Sequence, residues 1–130
     1  MDAYYYAFLF ILLIDFPYNL LGLLFIPVGI YLVINPWYSF KNHNTPEDFS
    51  ESTALVKDGL YKYSRNPMYL GGIFILIGLA ITTCNLCALI APFLFFIIMN
   101  YMFIPFEEEK MNNTFGDEYK IYKNKVRRWI

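Results

Sequence analysis

The sequence predicts an all-α, polytopic membrane protein that forms a single domain, residues 1–130, and two observations lead to this class. Of the 130 residues, 58% are hydrophobic and only 16% are charged, whereas about a quarter are charged in typical soluble domains. The stretches 16–40 and 66–106 contain no charged residue at all. The second stretch would form about 60 Å of helix, enough for two passes through a hydrocarbon core of roughly 30 Å. We therefore expect a membrane helical bundle of four transmembrane helices with a C-terminal cytoplasmic amphipathic helical tail.

The expected spans follow the apolar runs, at about residues 3–16, 18–38, 68–83 and 86–106. The first run is shorter than the roughly 17 residues that usually cross a bilayer. It ends at "DFPYN" (residues 15–19), which indicates a turn, so a tight helical hairpin is favoured over one long helix kinked at Pro17. Pro92, Asn100 and Pro105 interrupt the fourth run. Membrane helices tolerate such residues when neighbouring groups satisfy the freed backbone.

The tail, residues 107–130, is rich in charge but keeps a helical pattern. Its apolar residues recur at spacings of four and three, namely Met111, Phe115, Tyr119, Tyr122, Val126 and Trp129, which predicts a helical stripe. Gly116 is expected to divide this stripe into two short helices, with Asp117 starting the second. Such a segment would lie along the membrane surface or pack beneath the bundle.

The basic residues predict the orientation. All ten lysines and arginines lie either between Lys41 and Arg65 or after Phe106. With four spans these two regions share one side, and the positive-inside rule makes that side the cytoplasm. We therefore expect a cytoplasmic loop, 39–67, and a cytoplasmic tail, 107–130. A three-span alternative would change only the side of the membrane on which the N-terminus lies.

The sequence "SRNPMY", residues 64–69, stands at the start of the third apolar run. Asn66 suits the N-cap of a helix and Pro67 its first position. The following Gly71 and Gly72 would each cost about 1 kcal/mol in a soluble helix. Two explanations remain open for these glycines: close helix packing in the membrane, or a ligand that approaches the N-terminus of the helix.

The sequence "FEEEK", residues 106–110, places three adjacent acids at the expected C-terminus of the fourth span. Acidic residues there oppose the helix dipole, and a solvated acidic face is the simplest explanation. The predicted topology, however, puts Arg65 on the same side of the membrane as Glu107 and Glu108. An arginine, a glycine-rich helix start and a carboxylate pair would make a pocket for a zwitterionic ligand.

Other chemistry-bearing residues carry weaker signals. Cys84 and Cys87 have the spacing of a redox pair but no thioredoxin-like context. His43 is expected in an exposed loop, and Asp15 in a solvated turn rather than as a transport carboxylate. Two cysteines and one histidine cannot supply a four-ligand zinc site by themselves, so we expect no metal, and no feature indicates a nucleic-acid partner.

The segment 55–72, "LVKDGLYKYSRNPMYLGG", resembles the signature of the membrane methyltransferases that include isoprenylcysteine carboxyl methyltransferase and phospholipid N-methyltransferases. The matching positions are Leu55, Val56, Gly59, Tyr61, Arg65, Asn66, Pro67, Tyr69 and Gly71, followed by Glu107 and Glu108. The tail is similar as well, at Met111, Phe115, Gly116, Glu118, Tyr119, Tyr122, Val126 and Arg128. Asn66 stands where eukaryotic members usually have histidine, which puts in doubt any role that needs an imidazole.

This resemblance implies that the matching residues of 55–71, with Glu107 and Glu108, bind S-adenosylmethionine, which would leave as S-adenosylhomocysteine. Arg65 and the N–H groups of residues 69–72 would hold the anionic end of the cofactor, and the two glutamates its ammonium or ribose hydroxyls. Leu55 and Val56 would flank the adenine, and Tyr61 or Tyr69 would lie near the sulfonium. The catalytic residues would be Arg65, Tyr69 and Glu108, acting mainly by alignment.

The resemblance further implies an integral membrane enzyme, in a prokaryotic inner membrane, whose active site faces the cytoplasm. A lipophilic acceptor would enter from the bilayer, and either the carboxylate of a prenylcysteine-like molecule or the amine of a phospholipid would fit. A small multi-span transporter and a non-catalytic membrane scaffold are the alternatives. No sequence feature indicates an oligomeric state.

Overall fold

The computed structural model describes residues 18–42, 55–83 and 86–130, together with Ala3, Tyr4 and Tyr6. Within these ranges the protein is helical and contains no strand, which confirms the all-α class. The expected first span, 3–16, lies almost wholly outside the described residues, as do Asp15, His43 and Cys84.

The described chain forms a series of helices. A 3-10 turn, Tyr18–Leu21, leads into α1, Gly22–Asn42. A second 3-10 turn, Gly59–Lys62, precedes α2, Pro67–Thr82. After the 3-10 turn Leu86–Leu89 come α3, Ile90–Ile98, a π-helical turn, Met99–Phe103, and α4, Ile104–Phe115. The last helix is α5, Asp117–Lys125, and it is followed by residues 126–130, which we call the terminal segment.

Two helical stretches are long and apolar enough to cross a membrane. They are Tyr18–Ser39, with 22 residues, and Leu86–Phe115, with 30 residues. The third apolar helix, α2, has only 16 residues, at the short end for a span. The structure thus gives two candidate membrane-spanning helices, and the count of four spans stays a prediction.

Helices α1 and α2 pack with their backbones in direct contact at two glycine pairs. A Cβ atom on Gly71 would lie 2.6 Å from the carbonyl oxygen of Gly29, and one on Gly29 would lie 2.7 Å from that of Gly71. Gly22 and Gly78 face each other in the same way further along. Small residues allow this approach between membrane helices. The structure therefore supports the packing explanation for Gly71.

One expected helix end was wrong, that of the fourth helical stretch. Helix α1 continues through the buried Pro36 to Asn42, although its candidate membrane-spanning part ends at Ser39, close to the expected residue 38. The fourth helical stretch does not stop at Phe106 but runs on to Phe115. Its π-helical turn shifts the hydrogen bonding, with the Ile104 N–H donating to the Met99 carbonyl. Pro105 then falls in the first turn of α4, where a missing N–H is tolerated.

The charged tail folds as the apolar stripe predicts. Gly116, with φ of +57°, separates α4 from α5, a backbone conformation that glycine adopts at little cost. The stripe residues Tyr119, Tyr122 and Val126 are buried against Val56 and Tyr61. This small core, which also contacts Leu55, Met111 and Phe115, attaches the segment before α2 to the tail.

Candidate functional site

The segment 55–66 is held in place by a turn at Gly59. The φ of this residue is +60°, and a Cβ atom there would lie 2.8 Å from Oδ1 of Asn35 and 2.9 Å from Oγ of Ser39. The next residue, Leu60, donates its N–H to the same Asn35 oxygen at 3.2 Å. Glycine therefore permits the turn to dock on the end of α1, and the docking directs the following residues toward α4.

An open cleft lies between this segment, α4 and α5. It has about 520 Å³ of space, counted out to its solvent-exposed mouth. Seven of its ten lining residues were predicted from the sequence as cofactor-binding residues: Leu55, Val56, Tyr61, Arg65, Asn66, Glu107 and Glu108. The structure therefore brings together most of the residues that carry the resemblance, from two regions distant in sequence.

The other three lining residues, Met111, Tyr119 and Tyr122, were not predicted as site residues. Their spacing had indicated a helical stripe, and the stripe turns out to form one wall of the cleft. The predicted site residues Gly59, Pro67, Tyr69 and Gly71 do not line it. Pro67 is fully buried at the start of α2, and Gly71 is occupied by its contact with α1.

Arg65 connects the two sides of the cleft. Its Nη1 donates to Oε1 of Glu108 at 3.1 Å and to the hydroxyl of Tyr119 at 3.4 Å. The side chains of Arg65 and Glu108 are only 10% and 12% exposed. The Nε of Arg65 is buried and has no hydrogen-bond partner among the residues that the structure describes. A buried donor of this kind is costly to leave unpaired, which indicates that the cleft suits an acceptor-bearing ligand.

Glu108 is the centre of a network of cations. Both of its oxygens accept hydrogen bonds from Arg128, from Nε at 2.9 Å and from Nη2 at 3.2 Å. Arg65 adds the contact described above, and the ammonium of Lys123 lies 3.5 Å away. This fork-like pairing of a carboxylate with arginine is strong and directional. Glu108 therefore connects the tail to the site through Arg128, a residue of the tail pattern to which the sequence assigns no role.

Glu107 has a different environment from its neighbour. Its Oε1 accepts a hydrogen bond from the hydroxyl of Tyr69, and its side chain lines the cleft. Tyr69, on the first turn of α2, thus acts on the site through Glu107 rather than by lining the cleft itself.

Asn66 stands at the N-cap position of α2, but its side chain makes no capping hydrogen bond. Instead its Nδ2 donates to the carbonyl oxygen of Arg128 at 2.9 Å, while its own carbonyl accepts from the N–H of Leu70 at 3.1 Å. Asn66 and Pro67 therefore take the expected N-cap and first positions of the helix, but without a side-chain capping hydrogen bond. The terminal segment supplies a carbonyl that no capping pattern in the sequence reveals.

The tyrosines in the wall of the cleft are protonated hydroxyls. Burial raises the pKa of Tyr61 and of Tyr122, and burial together with the charge of Glu108 raises that of Tyr119. Tyr122 donates its hydroxyl to the carbonyl oxygen of Tyr61 at 2.7 Å. These groups therefore support the cleft as neutral hydrogen-bonding residues.

Metal ligation has little support in the part of the chain described here, where no group of three or more histidine, cysteine, aspartate or glutamate residues lies close enough to hold an ion. The expectation that the protein uses no metal stays a prediction.

Comparison with known proteins gives the family. Residues 17–118 match the model of the phospholipid methyltransferase family, and the chain belongs to that family. A protein-S-isoprenylcysteine O-methyltransferase from Saccharomyces cerevisiae is 34% identical over 134 aligned positions, covering 92% of this chain. The corresponding protein from Xenopus laevis is 32% identical over 89 residues, 65% of this chain. An uncharacterized protein from Haemophilus influenzae is 38% identical over 63 residues, 48% of this chain.

The extent of these matches differs between the relatives. The chain spans 54% of the yeast protein and 30% of the Xenopus protein, whereas it covers the whole of the Haemophilus protein. No solved structure matches the chain. Membership of the family supports methyl transfer to a lipid-like acceptor and agrees with the resemblance found in residues 55–71 and 107–108.

Proposed function

We propose that the protein transfers a methyl group from S-adenosylmethionine to a lipid-like or amphipathic acceptor at the cytoplasmic face of a membrane. The observation that carries this proposal is the convergence of Arg65, Glu107 and Glu108 with Leu55, Val56, Tyr61 and Asn66 around one cleft.

The donors and acceptors in the cleft fit this cofactor. The unpaired Nε of buried Arg65 suits a carboxylate, which a guanidinium binds in a fork-like geometry. Glu107, oriented by Tyr69, suits an ammonium or the hydroxyls of a ribose. Leu55 and Val56 offer an apolar wall for a purine, and the face of Tyr61 can attract a cation. When bound, the cofactor supplies a methyl group activated by a positive sulfonium.

The two glutamates have separate roles in this proposal. Glu108 already pairs with Arg65, Lys123 and Arg128, so a ligand ammonium there would compete with three cations. Glu108 therefore positions the guanidinium of Arg65, and Glu107 contacts the ligand. Within the proposed catalytic set of Arg65, Tyr69 and Glu108, Tyr69 orients Glu107 through its hydroxyl.

The acceptor determines whether the protein must move a proton. A carboxylate acceptor, the kind that the names of the yeast and Xenopus relatives indicate, becomes an ester without a base. An amine acceptor, such as the headgroup amine of a phospholipid, must lose a proton, and Glu107 in the wall of the cleft would take it. In both cases the residues of the cleft contribute alignment above all.

The topology in this proposal is a single domain, 1–130, with spans at about 3–16, 18–38, 68–83 and 86–106. The loop 39–67 and the tail 107–130 then lie in the cytoplasm, as the distribution of lysine and arginine indicates. The membrane is the inner membrane of a prokaryote, and the acceptor reaches the cleft from the bilayer.

The test is calorimetric titration of the purified protein in detergent with S-adenosylhomocysteine. We expect saturable binding by the wild type, and binding weakened about tenfold or more by Arg65→Ala and by Glu107→Ala, because each loses a contact to a charged ligand group. Arg127→Ala is the matched control, since its side chain is exposed. A folded wild type without binding would favour the transporter or scaffold alternatives, whereas equal binding by all variants would contradict the methyltransferase site as proposed here.

The acceptor is tested separately. Membranes that contain the protein are incubated with methyl-labelled cofactor, and the label is traced into lipid or protein fractions. Base-labile label indicates a methyl ester and a carboxylate acceptor, whereas base-stable label in phospholipid indicates an amine. Absence of protein-dependent label in both fractions would contradict a lipid-like acceptor.

A further inference from the structure

The π-helical turn in the fourth helical stretch has polar contacts that the cofactor site does not explain. Oδ1 of Asn100 accepts hydrogen bonds from Nη1 of Arg128 and from Nε1 of Trp129, both at 3.1 Å. The backbone carbonyl of Asn100 accepts a further bond from Nη1 of Arg128 at 3.1 Å. Irregular turns of this kind are frequent at functional sites. Here the turn provides a polar anchor for the terminal segment within an otherwise apolar helix.

The opposite edge of the same guanidinium holds Glu108. A guanidinium has five N–H donors, and Arg128 uses four of them, two on Asn100 and two on Glu108. Arg65 shares the carboxylate of Glu108 through Nη1 alone, and its Nε is left without a partner in the described chain. The two arginines thus differ. Four of the five N–H donors of Arg128 are hydrogen-bonded, whereas Arg65 keeps its Nε unpaired.

We propose that Arg128 is a positioning residue that holds Glu108 against Asn100, so that Glu108 in turn holds Arg65 in the wall of the cleft with its Nε left for a ligand. The role rests on the proposed function and adds the terminal segment to the binding site. Lysine could replace the charge of Arg128 but not its two parallel hydrogen bonds to Glu108, because an ammonium is a point charge.

The loss of Arg128 has a specific consequence for Arg65. Without the fork, both oxygens of Glu108 become available to Arg65, whose guanidinium can then pair with them bidentately. In that geometry the Nε donor, which is unpaired in the described chain, would be consumed by Glu108. A ligand carboxylate therefore loses its partner even though Arg128 itself does not line the cleft.

The first test measures binding of S-adenosylhomocysteine in detergent by the full chain. Arg128→Ala and Arg128→Lys should each weaken binding by about 10- to 100-fold, the factor expected for a lost hydrogen bond to a charged group. The neighbouring Arg127→Ala, whose side chain is exposed, should stay within roughly twofold of the wild type. Full binding by Arg128→Lys would overturn the positioning role, because charge alone would then suffice.

The second test separates positioning from a general effect on the fold. If Arg128 acts through Arg65, the double variant Arg65→Ala/Arg128→Ala should bind as weakly as Arg65→Ala alone. Additive losses in the double variant would show that Arg128 acts independently, and would overturn the inference. Thermal unfolding of each variant, measured beside the titration, confirms that the compared proteins are folded.

The third test follows the anchor itself by fluorescence. In a Trp37→Phe background Trp129 is the remaining tryptophan, and Asn100→Leu should shift its emission and weaken ligand binding as Arg128→Lys does. Unchanged binding in Asn100→Leu would contradict the anchor. If the wild type does not bind S-adenosylhomocysteine, both the proposed function and the inference are contradicted. If the wild type binds and Arg128→Lys binds equally well, only the inference is overturned.

Discussion

Arg65 and Glu108 are 43 residues apart in sequence, yet Nη1 of the arginine lies 3.1 Å from Oε1 of the glutamate. Both side chains are nearly buried, and each belongs to a different wall of the same cleft. The pair joins the start of α2 to α4, and Arg128 joins the terminal segment to it. The candidate site is thus assembled by one ion network rather than by a single loop.

Glu108→Ala should lower stability more than any other single change in the tail. Removing this carboxylate leaves Arg65 and Arg128 partly buried without their shared anion, and uncompensated charges of this kind cost about 3 kcal/mol or more. Thermal unfolding in detergent measures the effect. The adjacent Glu109→Ala, whose side chain is exposed, is the control and should change the midpoint little. Similar midpoints for the two variants would contradict the central position of Glu108.

Tyr69→Phe should weaken ligand binding without unfolding the protein. The hydroxyl is the group that orients Glu107, and loss of a hydrogen bond to a charged group corresponds to about 1.5–3 kcal/mol. Titration with S-adenosylhomocysteine measures this. Tyr63→Phe provides the comparison, since Tyr63 is 72% exposed. Wild-type affinity in Tyr69→Phe would mean that the orientation of Glu107 does not matter for the ligand.

Gly71→Ala should destabilise the helix pair α1 and α2. The added methyl would lie 2.6 Å from the carbonyl oxygen of Gly29, and such overpacking costs about 1–3 kcal/mol. The neighbouring Gly72→Ala is a close control, because its methyl would meet only the ring of Phe95 at 3.2 Å, which can move. A lower unfolding midpoint for Gly71→Ala than for Gly72→Ala is expected. A lower midpoint for Gly72→Ala than for Gly71→Ala would contradict the close contact between Gly71 and Gly29.

We expect the buried tyrosines to make the folded protein less stable in alkaline solution. Burial raises the pKa of Tyr122 above its ordinary value of about 10, so folding favours the protonated hydroxyl. Its contribution to the free energy of unfolding is therefore complete below about pH 10, and it is lost as the pH rises from there toward the pKa of the folded protein. Unfolding midpoints measured between about pH 8 and 11 should fall at the alkaline end.

Tyr122→Phe is the variant that checks this explanation. It removes the titrating group and the hydrogen bond to Tyr61, so its midpoint should be lower at neutral pH but decline less at alkaline pH. Tyr63→Phe, at an exposed position, should keep the wild-type decline. An equally steep decline in Tyr122→Phe would assign the alkaline sensitivity to other groups.

Local patterns in the sequence predicted much of the fold and most of the cleft. The helix start at Pro67, the break at Gly116 and the stripe from Met111 to Val126 follow from backbone preference and periodicity, and the structure confirms them. The resemblance in 55–71 and at Glu107 and Glu108 identified seven of the residues that line the cleft.

The contacts that sequence reasoning missed depend on tertiary structure. The π-helical turn absorbs Asn100 and Pro105, so the fourth helical stretch continues where the acidic residues suggested an end. The amide of Asn66 finds a carbonyl of the terminal segment instead of capping its own helix. No local pattern in the sequence connects Asn66 or Asn100 to Arg128, which only the folded chain brings to them.

The central claim is that the cleft between residues 55–66 and α4 binds S-adenosylmethionine, and photo-crosslinking tests it most directly. Membranes that contain the protein are irradiated with labelled S-adenosylmethionine, with and without excess S-adenosylhomocysteine, and the labelled peptides are identified by mass spectrometry. We predict competable label on peptides from 55–66 or 107–122, and its loss in Arg65→Ala but not in Arg127→Ala. Label confined to peptides of α1 or α3, or label that Arg65→Ala retains in full, would contradict the assignment of this cleft.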